Sequence, residues 1–166
     1  MLMGMQPFDE VVTEHGPMVL RVCRALLGPT DSDDAWSDTF IAALRAYPDL
    51  RPDSNVPGWL ATIAHRKAID ILRAAQRSAI PLHPLPEVAS SSPPQGVGID
   101  GSLRVALDRL PPKQQGAVIY RYLADLAYAD VAELLESSEA AARRSAADGI
   151  AALRSQMKSM SREEFE

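Results

Sequence analysis

The stretch GWLATIAHRKAIDILRAAQR, residues 58–77, decides how the first half of this chain folds, and it is also its most cationic segment. Because a helix turns about 100° per residue, its apolar side chains collect on one face. These residues are Leu60, Ala64, Ala68, Ile71, Leu72 and Ala75. We therefore predict an amphipathic helix that docks this stripe on a core, with Pro57 in its first turn.

A second face of the same predicted helix is polar and extends for roughly 27 Å. It collects Trp59, Thr62, Arg66, Asp70, Arg73 and Arg77. Such a face can be a solvated surface, with Arg66 and Asp70 as an ordinary i,i+4 pair and Trp59 as a core anchor. It can equally be a binding surface, and these residues alone leave both interpretations open.

The composition is that of a globular protein with a helical fold. The chain has 166 residues, of which 46% are apolar, 23% charged and only 5% aromatic. This length suits one medium domain or two small ones. The single cysteine, Cys23, excludes an internal disulfide and fits a reducing compartment. His15, His65 and His83 lack the spacing of metal ligands, so we expect no metal and no cofactor.

Targeting signals are not visible in the sequence. Residues 1–10, MLMGMQPFDE, have neither a basic region nor a long apolar run, so we expect no signal peptide. No stretch approaches about 18 consecutive apolar residues. We expect a soluble, cytoplasmic protein.

The charge, −5 in total, is unevenly distributed. Acidic residues crowd the first fifty positions, whereas cations concentrate at residues 65–77 and 143–158. This pattern suggests one acidic surface for a partner and two basic surfaces for a polyanion, although short chains also acquire such asymmetry by chance.

Residues 78–100, SAIPLHPLPEVASSSPPQGVGID, divide the chain. Their prolines, serines and glycines disfavour regular structure, and few large apolar side chains are present to offset the entropy of ordering. We predict a linker between an all-α domain at residues 1–77 and a second at residues 101–166. The first helix is expected at Phe8–Leu27, and the second from Thr30 or Asp31 to Tyr47.

The second domain has the pattern of a helix-turn-helix. We predict a helix ending at Pro111, a helix starting at Pro112 and running through Leu123, and a short helix in AYADVAELL. Ser138 is a suitable N-cap for the last helix. That helix carries the cations Arg143, Arg144, Arg154 and Lys158.

Four segments in this order resemble the small extracytoplasmic-function group of sigma factors of bacterial RNA polymerase. They are DDAWSDTF (33–40), WLATIAHRKAIDILRAAQR (59–77), LPPKQQGAVIYRYL (110–123) and YADVAELLESSEAAARRSAADGIAALR (128–154). The resemblance implies two helical domains, called regions two and four, on a flexible linker. It also implies a non-enzymatic subunit whose partners are core RNA polymerase, promoter DNA and an anti-sigma factor.

The resemblance assigns roles to residues of the first domain. Those expected at the minus-ten promoter element are Trp59, Arg66, Lys67, Arg73 and Arg77. The loop 48–57 would capture a flipped promoter base, and Asp70 would be structural. The residues expected to dock on the polymerase clamp are Asp34, Ser37, Asp38, Ile41 and Leu44. The alternative for the acidic residues is helix capping, and the family usually has Gln where Ser37 stands.

In the second domain the resemblance places Arg143, Arg144, Arg154 and Lys158 at the minus-thirty-five element. The chain departs from the family pattern at Glu136, where a turn glycine is usual, and at Ala140 and Ala141, where Gly-Thr is usual. Asp148 stands near the position of a further cation. These departures predict weaker or differently specific contact with DNA.

Other classes of function remain to be weighed. A helix-turn-helix regulator acting without polymerase would need no acidic docking helix, and a sigma-like interaction protein would bind polymerase or an inhibitor without reading promoters. An enzyme with Cys23 as nucleophile is rejected, because this thiol lies among apolar residues of a helix and is expected to be buried and inert.

Overall fold

The structure, a computed structural model, describes residues 5–77 and 101–163. The regular elements in these ranges are all helical, so the predicted all-α fold class is confirmed. The chain divides into two compact units, Met1–Val97 and Gly98–Glu166. The predicted linker at 78–100 lies outside the described residues.

The first unit is built from three long helices: α1 (Phe8–Leu27), α2 (Ser32–Ala46) and α3 (Val56–Arg77). A short 3₁₀ turn, Tyr47–Asp49, follows α2. Local hydrogen bonds mark the ends of these helices. Gly28, with φ of 80°, donates its N–H to the Arg24 carbonyl at 3.0 Å and ends α1. Asn55 caps α3 by accepting the Gly58 N–H at 3.3 Å.

Small residues let these three helices pack closely. Ala43 of α2 and Ala61, Ala64 and Ala68 of α3 are fully buried, and Leu20 and Leu60 supply the largest buried aliphatic side chains of this unit. Each pair of the three helices is in contact. The apolar stripe predicted for α3 therefore does dock on a core over its first turns.

The end of that stripe was predicted wrongly. Leu72 is 41% exposed and Ala75 is also exposed, while Ile71 is partly exposed. The physical reason is that α1 and α2, the other helices of this unit, do not bury the last turns of α3. The apolar pattern thus continues beyond the surface that α1 and α2 can bury.

The second unit packs three short helices against one long one. These are α4 (Gly101–Asp108), α5 (Pro112–Val118), α6 (Tyr128–Leu134) and α7 (Glu139–Glu163). The first three each contact α7. The sequence predicted a regular helix from Pro112 through Leu123, but residues Ile119–Leu123 form a π-helical segment that leaves Tyr122 56% exposed.

The turn between α6 and α7 has the hydrogen bonds of a Schellman motif. The Ser137 N–H bonds to the Ala132 carbonyl at 2.9 Å, and the Glu136 N–H bonds to the Glu133 carbonyl at 3.3 Å. Glu136 has φ of 53°, which places it in the left-handed region. Ser138 then caps α7 as predicted, because its Oγ accepts the Ala141 N–H at 3.1 Å.

Two further properties concern the described residues only. None of their helices combines the length and the apolar character needed to cross a bilayer. Nor do three or more His, Cys, Asp or Glu side chains of these ranges come together as metal ligands.

Candidate functional site

Helix α2 presents a mixed acidic and apolar surface to solvent, which we call the α2 face. It consists of Asp34, Ser37, Asp38, Ile41 and Leu44, which a helical wheel places within about a third of a turn. Ile41 is 50% and Leu44 55% exposed. Both aspartates are exposed, and Ser37 is half-buried. Exposed aliphatic side chains beside carboxylates suit a partner with apolar and cationic groups.

Helix capping explains only part of this acidity. Asp31 occupies the N-cap position but makes no side-chain capping bond, and Asp33 and Asp34 lie in the first turn. Asp33 also pairs with Arg24 of α1 at 3.9 Å. Asp38 lies a turn further on, where the helix dipole no longer favours an acid appreciably. The capping alternative therefore does not account for Asp38.

The buried side of α2 fixes which residues the α2 face exposes. The Trp36 Nε1–H donates to the Gly16 carbonyl of α1 at 3.0 Å, and the Thr39 hydroxyl donates to the Ala35 carbonyl at 2.6 Å. Phe40 is buried beside them. The Trp36 bond to α1 and the burial of Phe40 fix the rotation of α2 about its axis, so the α2 face is preorganised.

Cations follow the outer side of α3, which we call the α3 face. It consists of Trp59, Arg66, Lys67, Arg73 and Arg77. The three arginines are exposed and Lys67 is half-buried. Arg77 is held loosely, because its Nε donates to the Arg73 carbonyl at 3.4 Å.

The i,i+4 pair predicted between Arg66 and Asp70 is not formed. Both residues are exposed, and no ion pair joins them among the described residues. Long side chains in water gain little from such pairing, which explains why they stay apart. Arg66 is thus open to an external anion.

Trp59 lies at one end of a chain of aromatic rings. Its ring centroid is 6.3 Å from that of Tyr47, and Tyr47 is 5.3 Å from Phe8. The Tyr47 hydroxyl donates to the Gln6 carbonyl. Trp59 is half-buried, so it combines the anchoring role of the alternative interpretation with a ring surface that solvent still reaches. The contact between Tyr47 and Trp59 could not be predicted from the sequence, because no local pattern links the two residues.

Cations of α7 form a second basic surface, the α7 face, made of Arg143, Arg144, Arg154 and Lys158, all exposed. On the other side of α7, Ala142, Ala146 and Leu153 are buried and Ile150 is half-buried, where the sequence predicts that all four pack inward. Within residues 5–77 and 101–163, Arg143 differs from the other three because it has side-chain partners there. Its Nη2 lies 2.8 Å from Glu139 Oε1, and its guanidinium carbon lies 4.6 Å from the centre of the Tyr128 ring.

The cysteine considered as a nucleophile is buried in α1. Burial raises the pKa of the Cys23 thiol to about 12. A thiol with this pKa holds its proton at neutral pH and lacks the thiolate that nucleophilic chemistry requires. The prediction that this thiol is buried is confirmed.

Two family descriptions match the chain. Sigma-70 region 2 matches residues 11–78 and includes the α2 and α3 faces, and Sigma-70, region 4 matches residues 100–153. The α2 and α3 faces therefore lie in one matched region, and the α7 face begins in the other.

Curated relatives agree with these matches. The chain is 33% identical over 147 residues to the ECF RNA polymerase sigma factor SigD of Mycobacterium tuberculosis, covering 81% of this chain and 69% of that protein. It is 30% identical over 142 residues to the ECF RNA polymerase sigma factor SigE of Mycolicibacterium smegmatis, covering 80% of this chain. The chain spans about half, 54%, of the length of that SigE.

A solved structure has the same fold. The sigma factor RpoE of Bartonella quintana, crystallised with the anti-sigma factor NepR, matches with a TM-score of 0.74 and 19% identity, covering 91% of this chain and 96% of that one. From the two matched regions and the relatives together, the chain belongs to the extracytoplasmic-function (ECF) group of RNA polymerase sigma factors, a family of non-enzymatic transcription initiation factors.

Proposed function

We propose that this chain binds core RNA polymerase, directs it to specific promoters and helps to open the minus-ten region. The observation that carries the proposal is the pairing of two unlike surfaces in the first unit. The α2 face offers aliphatic and acidic groups to a protein, whereas the α3 face offers cations and a partly exposed indole to DNA. A sigma factor needs both surfaces at once.

The α3 face suits a duplex that is being opened. Its arginines would bind phosphates without regard to base sequence, and the indole of Trp59 would stack on a base once the strands separate. The α7 face would contact the minus-thirty-five element, with alanines between its cations allowing close approach to a groove.

The net charge of −5 supports dependence on the polymerase. A free protein of this charge repels the phosphate backbone over long range, so its basic faces need a partner that brings DNA to them. This dependence separates the proposal from a helix-turn-helix regulator that acts alone.

The proposed partners are core RNA polymerase, promoter DNA and an anti-sigma protein, and the proposed location is the bacterial cytoplasm. The anti-sigma partner is supported by RpoE of Bartonella quintana, a protein of the same fold that was crystallised with NepR. The linker and the domain limits at 77 and 100 belong to the same proposal. They are supported by the family matches, of which the first ends at residue 78 and the second begins at residue 100.

Run-off transcription tests this function. Purified core polymerase would be combined with the chain on genomic DNA of its host, and the transcript ends would be sequenced, with core alone as the control. We expect new transcripts whose start sites share elements upstream. Duplex binding without core would instead indicate a stand-alone regulator, and core binding without new transcripts would indicate a sigma-like interaction protein.

A further inference from the structure

Five side chains of the second unit form a continuous chain of contacts, Asp125–Arg121–Tyr128–Arg143–Glu139. Arg121 comes from the π-helical segment, Tyr128 begins α6, and Glu139 and Arg143 lie in the first two turns of α7. This series of contacts therefore joins the π-helical segment, α6 and α7, which together surround the helix-turn-helix. The sequence patterns gave no sign of it.

The ring of Tyr128 lies against two guanidinium groups. The guanidinium carbon of Arg121 is 4.9 Å and that of Arg143 is 4.6 Å from the ring centre. Both distances are within the range of a cation–π attraction. Two cations on one ring repel each other, and each has a carboxylate nearby: Asp125 lies 3.7 Å from Arg121, and Glu139 lies 2.8 Å from Arg143.

The two arginines differ in what else they do. Arg121 also donates from Nη1 to the Leu126 carbonyl at 3.1 Å, so it is tied to the loop before α6, and its side chain is 35% exposed. Arg143 bonds to the Glu139 carboxylate and to no backbone group of the described part of the chain, and its side chain is 59% exposed. Arg121 thus anchors the ring, and Arg143 lies on the ring with its charge open to solvent.

We propose that Tyr128 is a positioning residue that holds Arg143 for contact with a promoter phosphate. The inference rests on the proposed function of the α7 face. The residues in the first turns of a recognition helix are those that reach the DNA, and Arg143 lies there. A long arginine side chain loses rotamer freedom on binding, and a ring that restricts it beforehand reduces that loss.

Glu139 cannot fill this role in the complex. Its carboxylate is negative, so it repels the phosphate and competes with it for the same guanidinium. The Tyr128 ring is neutral and contacts the face of the guanidinium, which leaves the N–H groups at its edge to bond with phosphate oxygens. The ring can therefore support Arg143 both before and after DNA binds, whereas Glu139 must release it.

The test uses holoenzyme reconstituted from core polymerase and full-length variants, with a duplex promoter fragment found by run-off transcription. Tyr128→Phe keeps the ring and should bind like wild type. Tyr128→Leu should bind about two- to fivefold more weakly, as expected for loss of a solvent-exposed cation–π contact. Its slope of log affinity against log salt should also move toward that of Arg143→Ala.

A double variant separates positioning from a structural role. In an Arg143→Ala background, Tyr128→Leu should cause no further loss, because the ring then has no DNA-contacting arginine to hold. An equal loss in both backgrounds would overturn the inference. Tyr122→Leu is the matched control, because Tyr122 belongs to the same unit and its side chain is 56% exposed. This variant should leave the salt slope unchanged.

Glu139→Gln tests the competing carboxylate. It should tighten binding about twofold, because a weak surface pair and a negative charge are both removed. Weaker binding would show that the carboxylate, and not the ring, positions Arg143.

Hydrogen exchange of α7 amides monitors the folding of all these variants. If Tyr128→Leu loses protection from exchange, Tyr128→Met replaces it.

Failure of the inference is distinct from failure of the proposed function. If Arg143→Ala leaves both affinity and salt slope unchanged, Arg143 contacts no phosphate and the role of Tyr128 falls, while transcription directed by the chain still stands. If no promoter-specific transcripts form, the proposed function itself fails, and the inference falls with it.

Discussion

Gly149 of α7 and Val118 of α5 approach so closely that a Cβ atom on Gly149 would lie 2.6 Å from Val118 Cγ2. The same added atom would lie 3.2 Å from the Gln114 carbonyl oxygen. Valine is stiff at χ1 and cannot swing aside easily. We expect Gly149→Ala to destabilise the second unit by about 1 kcal/mol, because overpacking by about 1–3 kcal/mol exceeds the roughly 1 kcal/mol gained in helix propensity.

Native-state hydrogen exchange of α7 amides measures this change. Both tryptophans of the sequence, Trp36 and Trp59, lie in the first unit, so tryptophan fluorescence serves as an internal control that should not change. Gly101→Ala, where an added Cβ meets nothing within 4 Å, is the matched control. Combining Gly149→Ala with Val118→Ala should restore part of the loss, and additive losses would contradict the proposed clash.

Glu136 is the second position where the backbone limits the stability of this unit. It occupies the left-handed position of the Schellman motif, with φ of 53°, where a side chain costs about 1–2 kcal/mol relative to glycine. Part of the stability gained by relieving this strain is lost again, because glycine increases the entropy of the unfolded chain. We expect Glu136→Gly to stabilise the second unit by about 1 kcal/mol in hydrogen exchange.

Glu133→Gly is the control for this change, since it removes a similar exposed glutamate from within α6. It should destabilise by up to about 1 kcal/mol, because glycine is a poor helix former and Glu133 lies in the last turn of α6. If both substitutions lower protection, the strain assigned to Glu136 is absent. The sequence indicated the position through its departure from the family, and the dihedral angle supplies the physical reason.

Local signals explain which parts of the fold could be predicted from the sequence. Helix α1 ends at Leu27 because Gly28 adopts a positive φ as its C-cap and Pro29 follows it. Ser138 caps α7 through its own side chain. Both features depend on residues adjacent in sequence. The exposed position of Leu72 could not be read in this way, because a helical wheel gives a residue's direction but not how far a neighbouring helix extends.

The candidate site shows the same division. The residues of the α2 face lie on one helix, so their spacing indicates that they share a side, and their assignment to polymerase docking comes from the family resemblance and stays a prediction. The contact between Tyr128 and Arg143 crosses the turn between two helices, so it depends on tertiary packing that no local pattern encodes. The absent Arg66–Asp70 pair shows that correct spacing permits an ion pair without enforcing one.

Burial of Cys23 predicts a pH dependence of stability. The pKa of its thiol rises from an ordinary value of 9.0 to about 12 in the folded chain. Between these values the unfolded chain has lost the proton that the folded chain retains, so the free energy of unfolding falls as pH rises. We expect an added slope of about 1.4 kcal/mol per pH unit in this window.

Other groups titrate in the same range, so the measurement compares wild type with Cys23→Ala by denaturant unfolding followed through tryptophan fluorescence. The variant should lack the added slope, and identical slopes would show that the thiol titrates alike in both states. Native protein should also resist alkylation at mildly alkaline pH, where the unfolded chain reacts.

The α2 face predicts how polymerase binding responds to charge. Changing both Asp34 and Asp38 to Lys should weaken binding to core polymerase by about 1–3 kcal/mol if these carboxylates meet cations in a partly desolvated interface. Helix content measured by circular dichroism should stay near wild type, since both residues are exposed. The affinity is measured by titrating labelled chain with core polymerase.

The control makes the same change in charge elsewhere on the first unit. Asp9 and Glu10 are exposed in the first turn of α1, and changing both to Lys should affect core binding far less. An equal effect of the two double variants would reduce the α2 result to long-range electrostatics. Unchanged affinity in Asp34→Lys/Asp38→Lys would leave these acids without a role in docking.

Trp59 should act at strand opening and not at initial binding. The part of its ring that remains exposed can stack on a base only after that base leaves the duplex, so Trp59→Ala should leave closed-complex affinity nearly unchanged. Open complexes should form more slowly, seen as reduced permanganate reactivity of promoter thymines. A premelted, mismatched promoter should restore much of this defect, because stacking worth about 1–3 kcal/mol is then no longer needed to drive opening.

Arg73→Ala provides the opposite signature in the same assay. An exposed arginine that contacts phosphate should weaken binding to duplex and premelted promoters alike and lower the salt slope by roughly one. The aromatic contact between Trp59 and Tyr47 at 6.3 Å makes a folding defect the alternative explanation for Trp59→Ala. Trp59→Phe distinguishes them, because it keeps an aromatic ring beside Tyr47. If the premelted promoter rescues neither Trp59→Ala nor Trp59→Phe, Trp59 serves only as an anchor, and strand opening must be assigned to other residues.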